Sequence, residues 1–139
     1  MDVPAADRRR TAAQQAGDAA EGLVERRLIE MGWTILARNL HVGRHELDLV
    51  AVDPGPPAAL VVVEVRWRSR RDFGLPEETF DHRKRQHLRA AVGRLLEDGL
   101  PGGILVPALP LRIDLLVVEP GPTAGATPRI RHHRDALAG

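Results

Sequence analysis

The chain has 139 residues, 43% of them hydrophobic, and a formal net charge of +1, which fits a single globular domain with a real core. It contains no cysteine, so disulfide scaffolds and thiolate metal sites are excluded. Its longest apolar run, Ala58–Val63, is too short to span a bilayer, and the N-terminus lacks the apolar stretch of a secretory signal; a cytoplasmic protein without a membrane partner is expected.

Residues 1–14 (MDVPAADRRRTAAQ) read as a flexible basic arm, with Arg8–Arg10 and few large apolar residues. From about Gln15 to Met31, the residues Ala16, Ala20, Leu23, Val24, Leu28 and Met31 recur at helical spacing. Gly32 suits the end of that helix, and Glu21 lies at the margin of its apolar stripe. Trp33–Leu40 reads as a strand, HVGR as a turn, and Arg44–Asp53 as a second strand. The DPGPP break cannot belong to a ladder. Leu60–Arg68 is the third strand, and its continuous apolar start predicts a central position buried on both faces. RSRRDFGLPEE is a loop with a basic rim. Pro76 and Glu77 suit the start of a second helix running to about Asp98, with Leu88, Ala91, Val92, Leu95 and Leu96 as its apolar stripe. Leu111–Glu119 is a fourth strand. Residues 120–139 are rich in Pro, Gly, Ala and Thr and read as a mostly disordered tail. In it, His132 and His133 are adjacent, which is not the spacing of helical metal ligands. The order over 15–119 is helix, three strands, helix, strand. It predicts an α/β fold, a mixed sheet flanked by helices.

Two strands carry acids among apolar residues: Glu46 and Asp48 in HELDLVAVD, and Glu64 in VVVEVRW. Residues two apart on a strand share a face. Charges in such strands are costly unless paired, solvated or bound to a cation. Asp48 and Glu64 form the best pair of oxygen ligands for a hard divalent cation, Mg²⁺ or Mn²⁺, with the Val65 carbonyl as a third oxygen nearby. Arg66 shares the face of Glu64 and would stabilise phosphate oxygens and an attacking hydroxide. Basic residues collect on either side: Arg68, Arg70 and Arg71 after the third strand, and Arg83, Lys84 and Arg85 in the second helix. Each cluster alone reads as solvated surface. Beside an acidic site they suit a phosphate backbone, which makes DNA the expected partner. Two Trp and two Phe are too few for stacking on single-stranded bases.

The words GDAAEGLVERRLIEMGWTILARNL, HELDLVAVD, VVVEVRWRSRRDFGLPEETFDHRKRQHLRAAVGRLL and RIDLLVVE resemble, in order and spacing, the YraN family of small bacterial proteins. That family is placed in the restriction-endonuclease-like superfamily, whose motif is PD-(D/E)xK. The resemblance covers Gly17–Glu119 and implies an α-β-β-β-α-β nuclease-like core. It implies a likeness to archaeal Holliday-junction resolvases, whose dimers make a homodimer an expectation here. Carried over, Glu21 is the helical acid, Asp48 the strand acid before the turn, and Glu64 the acid of the ExK word. Asp48 and Glu64 would be the metal ligands. Two positions depart from the pattern: Arg66 stands for the lysine, and His45 for the glycine of the GEIDL word. Arginine keeps the charge without the compactness of an ammonium, and Lys84 could take the lysine's place from the helix. Three readings stay open. One is a metal-dependent phosphodiesterase acting on branched or damaged DNA. Another is a nucleic-acid-binding module of the same fold without turnover. The third is a protein-interaction role in which the acids pair with arginines.

Overall fold

The computed structural model describes residues 11–68 and 82–137. Helix α1 (Ala12–Glu30) begins before the expected Gln15 because Thr11 caps it. The Thr11 hydroxyl accepts from the Gln14 amide at 3.0 Å, and the Gln14 side chain accepts from the Thr11 amide at 2.8 Å. This reciprocal box satisfies two otherwise orphaned donors. The remaining elements are β1 (Thr34–Val42), β2 (His45–Asp53), β3 (Ala59–Trp67), α2 (His82–Asp98), β4 (Leu111–Glu119) and β5 (Arg129–His133). They give the α-β-β-β-α-β order, followed by one further strand. The helix start expected at Pro76–Glu77 lies outside the described residues. Among the described residues, no helix is long and apolar enough to cross a membrane.

The strands lie in the order β1-β2-β3-β4-β5. Only β3 and β4 run parallel; the other neighbours are antiparallel. A parallel pair needs a long crossover, and the chain from Arg68 to Pro110, including α2, supplies it. β3 is central, and its residues Ala59–Glu64 are all buried. Alternation sends Leu60 and Val62 to one face, against Leu88, Ala91, Val92 and Leu95 of α2. Val61 and Val63 go to the other, against Ala20, Val24 and Leu28 of α1 and against Trp33. Each such side chain contributes about 1.5–3 kcal/mol when fully buried. In the turn between β2 and β3, Gly55 has φ +63, and a Cβ there would lie 2.1 Å from the Pro57 carbonyl carbon. Only glycine fits.

The pairing of β2 with β3 runs from Asp53–Ala59 to Leu49–Val63 and then stops. β2 nevertheless continues along β1 to His45. The two central strands therefore part on the Glu46–Asp48 side of Leu49.

The expectation of a disordered tail from 120 does not hold for residues 129–133, which form β5. The strand offers little apolar surface, and charged pairs fasten it instead. Asp114 of β4 is fully buried. It accepts from Arg112 Nε at 2.8 Å and Nη2 at 3.0 Å, meets His132 Nε2 at 2.7 Å, and accepts from the Asp135 amide at 2.9 Å. Arg112 also donates to Asp53 at 2.8 Å and lies 5.5 Å over the Trp33 ring. The anchors for β5 thus sit on β4, which is why the composition of the tail conceals it.

Burial pushes the Asp114 carboxyl upward, but His132, Arg112 and the Asp135 amide outweigh it and hold the group below its ordinary value of 3.8. A carboxylate with a depressed folded pKa stabilises the fold above its unfolded pKa, and that contribution is lost as pH falls through the folded value. Asp114→Asn should therefore lower stability at pH 7 by roughly 2–4 kcal/mol, since it breaks a buried charge network. It should also flatten the loss of stability seen in acid. Urea unfolding at a series of pH values from neutral to strongly acidic checks both effects; an acid limb as steep in the variant as in the wild type would refute the role given to Asp114.

Candidate active site

The parting of β2 from β3 leaves backbone groups without ladder partners. Asp48 takes over part of the task, since its Oδ2 accepts from the Val65 amide at 2.8 Å. A side chain thus stands where a strand should be, and it draws Asp48 toward Glu64 of β3. α1 brings Glu21 to the same place, close enough for its carboxyl to interact with that of Asp48. From α2, Lys84 Nζ reaches Glu64 Oε1 at 3.1 Å. Glu21, Glu46, Asp48, Glu64, Lys84 and His87 line one cleft of about 440 Å³.

Glu64 is 5% exposed. Arg66, two residues along β3, approaches the same oxygen, Oε1, at 3.5 Å. Neither ion pair uses Oε2. The Arg66 Nε is buried and has no hydrogen-bond acceptor among the described residues.

The electrostatics are those of crowded acids. Burial pushes the Asp48 carboxyl up to about 7, and the neighbouring charges of Glu64 and Glu21 push the same way. The Val65 amide and Lys84 oppose the shift without cancelling it. Burial also raises Glu21, aided by the charges of Asp18 and Glu46. Among the described residues, no group of three or more His, Asp or Glu side chains forms a ready-made metal cage. The donor set still fits a hard cation that keeps most of its waters, because Asp48 and Glu64 converge and a positive charge between them would relieve their repulsion.

The other residues singled out from the sequence divide. Arg68 is not among the residues that line the cleft; it follows Arg66 by two residues and pairs with Glu119 at 3.3 Å. Arg83 is exposed on the first turn of α2. Arg70 and Arg71 lie outside the described residues. One residue that the sequence reading passes over is Asn39. It sits within β1 at φ +46, a conformation that Asn tolerates better than most residues. With its side-chain amide turned so that the nitrogen faces the acids, the orientation that satisfies both ends of the amide, Asn39 donates to Glu21 at 3.0 Å and to Glu46 at 3.1 Å, bridging two carboxylates that otherwise repel. No periodicity marks such a residue; an Asn interrupting the apolar pattern of β1 is the sole signal.

Acids from one helix and two parting strands, answered by a lysine and an arginine, define an α/β protein with a charged cleft at the open end of a mixed sheet. The chain belongs to the uncharacterised protein family UPF0102, the YraN family, whose profile matches residues 20–118. A UPF0102 protein of Solibacter usitatus is 44% identical over 86 residues, covering 60% of this chain and 63% of that protein. One from Symbiobacterium thermophilum is 36% identical over 110 residues, covering 79% and 86%. One from Sorangium cellulosum is 41% identical over 93 residues, covering 67% and 60%. The chain thus spans under two thirds of the Solibacter and Sorangium relatives and most of the Symbiobacterium one.

A carboxyl whose folded pKa is raised costs stability once pH exceeds its unfolded value, here 3.8, and the full cost is present above about 7. A shift of that span corresponds to at most roughly 4 kcal/mol. Asp48→Asn keeps an acceptor for the Val65 amide and removes the charge. Without divalent cations it should raise stability at pH 8 by on the order of 2 kcal/mol, and the gain should vanish toward pH 4. Thermal melts at the two pH values decide this. Asn39→Gly, which relieves the backbone but deletes the bridge, should raise the Glu21 pKa further, as read from its carboxyl carbon shift by NMR; an unmoved titration would leave Asn39 without a positioning role.

Proposed function

We propose that this protein is a metal-dependent phosphodiesterase of the restriction-endonuclease-like type, acting on DNA of branched or damaged structure. The observation that carries the reading is the convergence of Glu21, Asp48, Glu64 and Lys84 on one cleft. A purely structural acid is surrounded until satisfied, as Asp114 is. Asp48 and Glu21 are instead left crowded and raised, and groups in that state cluster where proton or cation chemistry is performed.

Asp48 and Glu64 would hold Mg²⁺ or Mn²⁺. The chemistry such a cation supplies is Lewis-acid polarisation of a phosphoryl oxygen and activation of water at neutral pH. Glu21 lies beside Asp48 in the cleft and would help to set the charge held there. Lys84 brings a compact ammonium to Glu64, the position at which the ExK lysine would act, so the departure at Arg66 is answered from α2. Arg66 keeps a guanidinium fork beside the same acid, suited to gripping phosphate oxygens by two bonds. A homodimer would present two such clefts to a symmetric branched substrate.

A second reading rests on the same ion pairs. Lys84 and Arg66 both engage Glu64 Oε1, and two cations on one ligand weaken its hold on a metal. In that case the protein binds DNA without turning it over.

Cleavage of labelled duplex, flap and junction DNA with Mg²⁺ or Mn²⁺ separates the two. The wild type should cleave at least one substrate, and Glu64→Ala and Lys84→Ala should each lose on the order of 100-fold or more. Arg66→Lys should retain activity. Activity surviving Glu64→Ala points to another site or a contaminant. DNA binding with no cleavage in any variant establishes the non-catalytic module.

A further inference from the structure

We propose that β5 extends the DNA-binding surface: Arg129 and Arg131, with Arg66 and Arg68, form a platform for the phosphate backbone of duplex DNA beside the cleft. This rests on the reading of the cleft as a DNA site and adds to it a strand in a segment that reads from its composition as a disordered tail.

The register places these residues together. Arg66 of β3 stands beside Val117 of β4, which stands beside Arg131 of β5. One row further along, the Arg68 amide bonds Val118 and Glu119 pairs with Arg129. Directly paired residues on neighbouring strands project to one face. That face is the one carrying Glu64 and the α2 side of the core, to which Leu115 and Val117 contribute. Ile130 alternates to the opposite face, against the α1 core. β5 therefore turns its arginines toward the cleft side.

Within the row the charges do not cancel. Glu64 is shared by Lys84 and Arg66, and Glu119 by Arg68 at 3.3 Å and Arg131 at 2.8 Å. Among the described residues of the row itself, Arg66, Arg68, Arg129 and Arg131 outnumber Glu64 and Glu119, while the further acids Glu21, Glu46 and Asp48 lie in the cleft beside it. The shared acids also order the arginines. A carboxylate engages one or two of the five donors in the fixed fork of Arg66 or Arg68, which sets the orientation of each guanidinium. The side chains of Arg66, Arg68 and Arg131 remain about a third exposed, at 30%, 35% and 29%, and Arg129 is exposed.

The dimensions suit a backbone. Residues two apart on a strand repeat at about 7 Å, and Arg66 and Arg131 are two strand spacings, about 10 Å, apart. That is about three base-pair steps of duplex at 3.4 Å each. α2 packs against this same face, and a row of arginines along the strands beside it would grip phosphates without reading bases.

The test is the salt dependence of binding to a labelled duplex, measured by anisotropy for the wild type, Arg129→Glu, Arg131→Gln and Arg94→Glu. Arg129 is exposed, so its replacement leaves the packing of β5 intact; melting temperatures verify the Arg131 variant. Arg94→Glu makes the same charge change on a surface arginine of α2 paired with Asp98. Arg129→Glu should weaken binding about tenfold, and each β5 variant should lower the slope of log Kd against log salt by about 1. Arg94→Glu should do neither. A slope unchanged in Arg129→Glu, with the wild type binding, overturns the platform and leaves the DNA reading standing. An equal loss in Arg94→Glu also overturns it, as a general charge effect. A wild type with no salt-sensitive duplex binding overturns both.

Discussion

The bond from the Val65 amide to Asp48 Oδ2 is the constraint on which the site depends. A ladder continued past Leu49–Val63 would have occupied that amide and zipped the cleft shut. Because a carboxylate stands in for a strand, β2 and β3 can diverge without leaving the amide orphaned. The divergence creates the space into which α1 lowers Glu21 and across which α2 extends Lys84. Fold and site are therefore not separable here: the same carboxylate closes the backbone accounts at the split and supplies the most perturbed acid of the cleft.

Two acids in this sheet look alike in sequence and behave oppositely. Asp114 and Asp48 are each flanked on both sides by aliphatic residues within a strand. Asp114 is enclosed by Arg112, His132 and the Asp135 amide, and its charge is favoured. Asp48 receives one amide and two acidic neighbours, and its charge is disfavoured. Desolvation pushes both carboxyls upward, so it is not what sets them apart; the sign of the surrounding charge is. An acid in an apolar strand announces only that something must answer it.

That limit explains what the sequence discloses. The central place of β3 is legible because both of its faces are apolar, and β4 is legible for the same reason. The bounds of α1 are less so, since its start depends on Thr11 and Gln14 rather than on periodicity. Asp48 and Glu64 can be placed mid-strand from their neighbours, but the splitting of the strands around them cannot, because period-two alternation describes a ladder that continues. β5 is hidden for a related reason. Its stability comes from Glu119 and Asp114 on another strand, and a reading of 129–133 by its own composition finds only one aliphatic residue. Asn39 is hidden too, since its role lies in a backbone angle and a pair of carboxylates distant in sequence.

The place of β5 at the end of the strand order has a consequence for vectorial synthesis. α1, the strands through β4, and α2 all leave the ribosome before Arg129. During that interval Asp114 has the Arg112 fork but neither His132 nor the Asp135 amide, and β4 exposes the edge that β5 later covers. A nascent chain stopped at that stage presents an unpaired strand beside a half-satisfied buried acid, a surface of the kind that invites pairing with other chains. Closing the sheet is thus a late event in the life of each molecule, and the residues that complete it are those least marked by hydrophobicity.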